Sequence, residues 1–257
     1  MKKCYLVWGV MLAFTGCAMF QNLTGGGESG PVAPTEAEMI AGLKEALKVG
    51  SQGAADGLSR TGGYNQSDIY KIFLPPEAQA ITENLSKIPG GQKMVDDTIT
   101  RINAAAESAA TKAGPIFVNA ITSMTISDAL GILKGSDTAA TEYLKRTTGP
   151  QLKQAFAPDL DAALRAPIVA GISAESSWNT LVTNYNRVAD VEAKANALLR
   201  RPPTMQPVNT SLNDYVMDKA LDALFSEVGK VEQNIRKDPL SYAQDIIKKV
   251  FSYFSGT

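Results

Sequence analysis

Hydrophobic positions along this chain recur at steps of three and four far more often than at steps of two, so the pattern predicts helices. Thr35-Glu36-Ala37-Glu38 has the form of a capping box. Met39, Leu43, Leu47 and Leu58 follow at helical spacings to about Ser59, with Gly50, Gly53 and Gly57 allowing close packing. Ile69 to Leu74 is too short to assign by period and precedes Pro75-Pro76, with Pro76 suited to the first position of a helix through Ile88. Val95, Ile99, Ile102, Ala106 and Ala109 form a core-facing stripe over Gln92–Lys112. Pro115 is expected to start another helix, and Thr125 or Ser127 to cap the next. Ser136 or Asp137 is expected to cap Thr138–Thr148, with Lys145 and Arg146 at its negative end.

Gly149-Pro150, Pro158 and Pro167 are expected to break the following region, although Leu152, Phe156, Leu160 and Leu164 keep a step of four. Ala174–Arg200 reads as one long helix with Trp178, Leu181, Val182, Tyr185, Val188 and Val191 apolar. Arg200 to Pro207 reads as a stiff polyproline linker. Thr210 or Ser211 caps a helix in which Met217, Leu221, Leu224, Val228, Val231 and Ile235 make a seam. That seam suits the inner face of a bundle, or a coiled-coil dimer. Asp238-Pro239 is a break, and Ala243 to Phe254 is a final amphipathic helix. No convincing strand pair emerges. The expectation is an all-α, bundle-like single domain of roughly eight to ten helices over residues 35–257.

The first 34 residues depart from this pattern. Lys2 and Lys3 precede an apolar run from Tyr5 to Phe14, the length of a signal-peptide core and too short to span a bilayer. Thr15-Gly16-Cys17 then resembles a bacterial lipobox, with Phe14 where leucine is usual. Residues 1–17 are therefore expected to be a lipoprotein signal with lipidation at Cys17; acyl chains there would anchor the protein stably to a membrane. Ala18 after the cysteine resembles the outer-membrane sorting signal of Gram-negative lipoproteins, which places the domain facing the periplasm. Residues 18–34, rich in Gly, Ser and Pro, read as a flexible tether of about 20–25 Å reach.

Composition narrows the chemistry. The chain of 257 residues has no histidine, which removes Ser-His-Asp and Cys-His nucleophiles and His-ligated metals. Both cysteines, Cys4 and Cys17, lie in the leader, so the folded part has no thiol. Without Lys2 and Lys3, 23 basic residues face 26 acidic ones, which argues against nucleic acid as a partner. No cofactor or metal is expected. Gly25-Gly26-Gly27 lacks the strand and helix of a phosphate loop, and Asp159-Leu160-Asp161 lacks the other ligands of a calcium loop.

Arg101, Asn103, Glu107 and Asp128 form the candidate polar cluster, with Asp137, Thr141, Arg146 and Arg236 also notable. Glu107 and Asp128 could be paired carboxylates, one acid and one base. Alternatively Asp128 and Asp137 belong to helix starts, and Glu107 and Arg101 pair with each other or bind loop backbone. Tyr64, Tyr70 and Phe73 could line a ligand groove or plug the core.

The segments NAAAESAA, PIFVNAITSMTISDALGIL, GSDTAATEYLKRTT, SLNDYVMDKALDALF, IRKDP and IIKKVF, in this order, resemble a bacterial family known as domain of unknown function 4197. The resemblance runs from about Met39 to Phe251 and implies an exported or lipid-anchored, mostly helical protein without an established activity. The expected function is that of an envelope lipoprotein, a non-catalytic module that binds a protein or hydrophobic ligand. The alternative is a carboxylate-dependent hydrolase using neither histidine nor metal.

Overall fold

A computed structural model describes residues 33–79, 89–169, 171–208 and 211–255. The leader, Cys17, nearly all of the tether, and the stretch 80–88 lie outside the described residues. The chain is predominantly helical. Helices run over α1 (Glu36–Ser59), α2 (Gly91–Ala110), α3 (Ala113–Thr122), α4 (Ile126–Leu133), α5 (Ala139–Arg165), α6 (Ala174–Leu198), α7 (Leu212–Lys237) and α8 (Asp245–Ser255). Single 3-10 turns occupy Pro76–Ala78 and Pro239–Ser241.

Local signals place several of these ends. The Thr35 side chain accepts from Glu38 N–H, and Glu38 returns the bond to Thr35 N–H at 2.8 Å. Thr125 and Asp128 form the same reciprocal box at the start of α4. Ser211 caps α7 through Asp214 N–H.

The seam of α7 faces inward. Leu221, Leu224, Val228 and Ile235 are buried against α1 and α5, so this stripe is a bundle interior rather than an exposed coiled-coil face. Helix α8 crosses α1 at Gly42, where an added Cβ would sit 2.6 Å from a Val250 methyl; Gly50 lies against Val231. The close approaches expected at Gly53 and Gly57 do not occur, since nothing lies within 4 Å of a Cβ there.

Two expectations are corrected. First, Gly149-Pro150 and Pro158 do not break the chain, and α5 continues through them to Arg165. Each interior proline costs about 3 kcal/mol. Leu144, Leu152, Phe156, Leu160 and Leu164 are all buried, at about 1.5–3 kcal/mol each, and together outweigh two prolines. Lys145 and Arg146 therefore sit inside α5, not at its end; Arg146 stacks over the Tyr143 ring. Second, a strand pair does exist. Pro167 halts α5, and Pro167–Val169 pairs antiparallel with Ile172–Ser173, the reversal carried by Gly171 at φ +80°. The hairpin ends on Ser173, which caps α6 through Ser176 N–H.

The proline-rich stretch after α6 is not a free-standing linker. Arg200 turns left-handed at φ 52° and the chain runs back along the helix. Glu192 accepts the Thr204 hydroxyl at 2.7 Å and its N–H at 3.1 Å. Asn186 exchanges two bonds with the Val208 backbone, 2.8 and 2.7 Å. One side of α6, including Ala189, is buried. Another side carries Val188 and Val191, apolar by the helical pattern but exposed; Tyr185, one turn before Ala189, is only partly covered.

Glu38 also joins the two ends of the domain, accepting from Lys249 on α8 at 2.6 Å. The Lys249 ammonium, with the Thr35 backbone, holds this carboxyl down from 4.5 to about 2. A carboxylate with a lowered folded pKa contributes stability above its unfolded value and loses it as pH falls through the folded one. The melting temperature should therefore fall between pH 4.5 and 2, and Glu38→Gln should make that acid limb shallower in thermal melts. Identical limbs in the two proteins would contradict the assignment.

Candidate functional site

The four candidate residues do not converge on a common cleft. Asn103 and Glu107 are one turn apart on the buried face of α2, whereas Arg101 is exposed. Asn103 donates to Ile72 O at 2.8 Å and accepts from Ile72 N–H at 2.8 Å, with a further bond to Ile99 O. This two-point amide clamp explains how Ile72 can lie buried in irregular chain with no helix or sheet to satisfy its backbone.

Glu107 does the same for the preceding loop. Its Oε1 accepts from the N–H groups of Gly62, Tyr64 and Asn65 at 3.1, 3.2 and 3.0 Å. The loop closes so tightly that a Cβ on Gly63 would lie 2.4 Å from Leu58 O. Tyr64, held in this turn, is fully buried and donates to Ala220 O on α7 at 2.8 Å. Burial, reinforced by the nearby Glu107 carboxylate, raises the phenol above its ordinary range, so it remains a donor. Tyr64 is thus a core plug. Tyr70 lies against α7 with Lys230 over its ring, and Phe73 is exposed.

Arg101 donates to Pro167 O at 3.2 Å, at the root of the β-hairpin, and forms no ion pair with Glu107 among the described residues. Asp128 is half-buried and accepts from the Thr125 hydroxyl at 2.6 Å. That bond, then the Thr125 backbone, then the Arg146 charge, lower its carboxyl below the usual range. Asp137 is exposed and caps nothing; the N-cap of α5 is Thr138, with no side-chain cap bond.

The cap of α5 comes from elsewhere. Glu232 on α7 is buried, and its two oxygens accept from Ala140 N–H at 3.0 Å, Thr141 N–H at 2.8 Å and the Thr141 hydroxyl at 2.7 Å. Arg236, one turn on, bonds Glu232 at 2.9 Å and donates to Ile132 O at 2.9 Å. Its guanidinium also lies over the Phe251 ring. One ion pair on α7 thus places a carboxylate at the positive start of α5 and a cation at the negative end of α4, each where the helix dipole favours it. The narrow space beside it is otherwise apolar, bounded by Leu43, Leu47, Val228, Ile235 and Phe251.

Glu232 was not among the sequence candidates. It does carry a signal. Glu232 follows Val228 by four and precedes Ile235 by three, so an acid occupies a seam position, with Arg236 four residues on. Asp159 pairs with Lys112 at 2.8 Å and Asp161 bonds Asn213, which accounts for the acidic pair on α5. No group of three or more acidic residues that could hold a metal occurs among the described residues. No single helix among them is long and apolar enough to cross a membrane.

A family model described as a protein of unknown function (DUF4197) matches residues 33–252. The chain belongs to this family. The match covers both polar anchors, Glu107 with its loop and Glu232 with Arg236, so a DUF4197 domain here comprises the whole bundle from α1 into α8. No curated protein and no solved structure matches the chain.

Proposed function

We propose that the protein is an envelope lipoprotein, anchored through Cys17 in the outer membrane and facing the periplasm, whose helical domain is a non-catalytic interaction module. The observation that carries the non-catalytic reading is the engagement of its buried polar groups. Glu107, Asn103, Glu232 and Arg236 are each committed to backbone groups that would otherwise be unsatisfied. A carboxylate hydrolase needs an acid and a base facing one substrate. Here Glu107 is enclosed by its loop and Asp128 is held in a capping box. The anchor rests on the sequence: a charged n-region, a ten-residue-class apolar core and Thr15-Gly16-Cys17.

Metabolic labelling with an alkyne-tagged fatty acid tests the anchor. The full chain should incorporate the tag and fractionate with outer membranes. Cys17→Ser should lose the tag and its stable membrane attachment. An unlabelled wild-type chain released as a soluble periplasmic protein would overturn the lipoprotein reading.

A further inference from the structure

Helix α6 presents a second seam that the described chain covers only at its start, where Leu181 packs against the core, and leaves exposed from Asn184 to Leu198. Leu181, Asn184, Val188, Val191, Ala195 and Leu198 recur at steps of three and four over more than two heptads. They share one side of the helix, away from the side on which Trp178 and Ala189 are buried. Val188 is 56%, Val191 62% and Leu198 87% exposed, while Leu181 is half-buried and Asn184 and Ala195 are exposed. The rim is charged: Arg187 immediately precedes Val188, and Glu192, fixed by Thr204, immediately follows Val191.

We propose that this face pairs with the same face of a second copy, as a short parallel two-stranded coiled coil with its two-fold axis along α6. Valine, leucine and alanine at the seam suit a close helix pair, in which Asn184 at a core position meets its own counterpart across the axis. The charges choose the orientation. In a parallel pair each Arg187 faces Glu192 of the second copy, because rim residues five apart meet across the seam. In an antiparallel pair Arg187 would face Lys194 of the second copy, two cations together. The interface is small, so association of the free domain is weak. Two copies held on one membrane are concentrated by their tethers, which adds avidity without new contacts.

The proposal gives the interaction-module reading its partner and rests on that reading, while its tests are separable from the lipid anchor. In the Cys17→Ser chain, sedimentation velocity should show concentration-dependent dimers. Val191→Glu should weaken them by at least about tenfold with an unchanged melting temperature, since Val191 is exposed. Arg187→Glu should also weaken them; strengthening would mean the antiparallel arrangement and overturn the parallel one. In cells, full-length Leu198→Cys should form a disulfide dimer, because parallel pairing brings the two Leu198 positions together, and Thr183→Cys, off the seam, should not. A chain that stays monomeric at every concentration and uncrosslinked at Leu198→Cys on the membrane refutes self-pairing, whether or not Cys17 carries lipid. Protection of the face by a different protein would do the same.

Discussion

Glu232→Ala should lower the unfolding free energy by about 3–5 kcal/mol, the range for removing one partner of a buried ion pair. The pair is well shielded, with Arg236 and Glu232 side chains only 13% and 7% exposed. Truncation removes the counter-charge of the Arg236 guanidinium, which keeps its bond to Ile132 O, and leaves Ala140 N–H, Thr141 N–H and the Thr141 hydroxyl without their acceptor. It also removes the only side-chain cap that α5 has among the described residues, at the start of a 27-residue helix packed on α2, α3 and α7. For a domain of this size a loss of that order corresponds to roughly 10 °C in melting temperature. Glu232→Gln keeps an acceptor of the same shape and loses the charge, so it should fall between wild type and alanine. Urea denaturation of the three proteins measures the series. If alanine and wild type unfold at the same midpoint, water or a rearranged Arg236 replaces the carboxylate and the linchpin role is wrong.

That prediction concerns a group whose seam position is legible in the sequence but whose partner is not, and the contrast has a physical basis. Capping is a short-range event. Thr35–Glu38 and Thr125–Asp128 satisfy N–H groups three residues away, so the residues and the structure they make lie in one window. The cap of α5 joins residues 91 apart, and its acceptor lies on a different helix. Ser136 and Asp137 have the right chemistry for a local cap but are exposed, because Glu232 already holds the N–H groups. The same limit applies to proline. Gly149-Pro150 is a stop signal only when nothing else is gained by continuing, and the gain here is the buried line from Leu144 to Leu164. In α6 the helix is as the spacing predicts, and what the spacing leaves open is its burial. Tyr185, Val188 and Val191 share the periodicity of a core face, but periodicity says which residues lie together and not whether a neighbour covers them. The seam of α7 has the same pattern and is covered by α1 and α5. Among the polar candidates, Asn103 and Glu107 were legible as a shared face. That they clamp the loop from Gly62 to Ile72 depends on where that loop returns, which no spacing encodes.

Glu107→Ala should cost about 2–4 kcal/mol, and it separates a structural anchor from a catalytic acid. Three backbone N–H groups share one carboxylate oxygen. Each donor left dry would cost about 1–3 kcal/mol. Parts of the loop, such as Gly62 and Asn65, are half-buried, so water can reach some of them and the total stays below the sum. The loss should propagate through Tyr64, whose bond to Ala220 O ties this turn to α7. Glu107→Gln retains an oxygen in the same place and should recover most of the stability. Hydrogen exchange gives the residue-level readout: the Gly62, Tyr64 and Asn65 amides should lose protection in the alanine variant and keep much of it in the glutamine variant. A catalytic carboxylate gives the opposite pattern, because glutamine cannot exchange a proton and would be as inactive as alanine while both proteins melt like wild type. Equal melting temperatures for wild type and Glu107→Ala, with the three amides still protected, would show that the loop holds itself and that the carboxylate is free for another purpose.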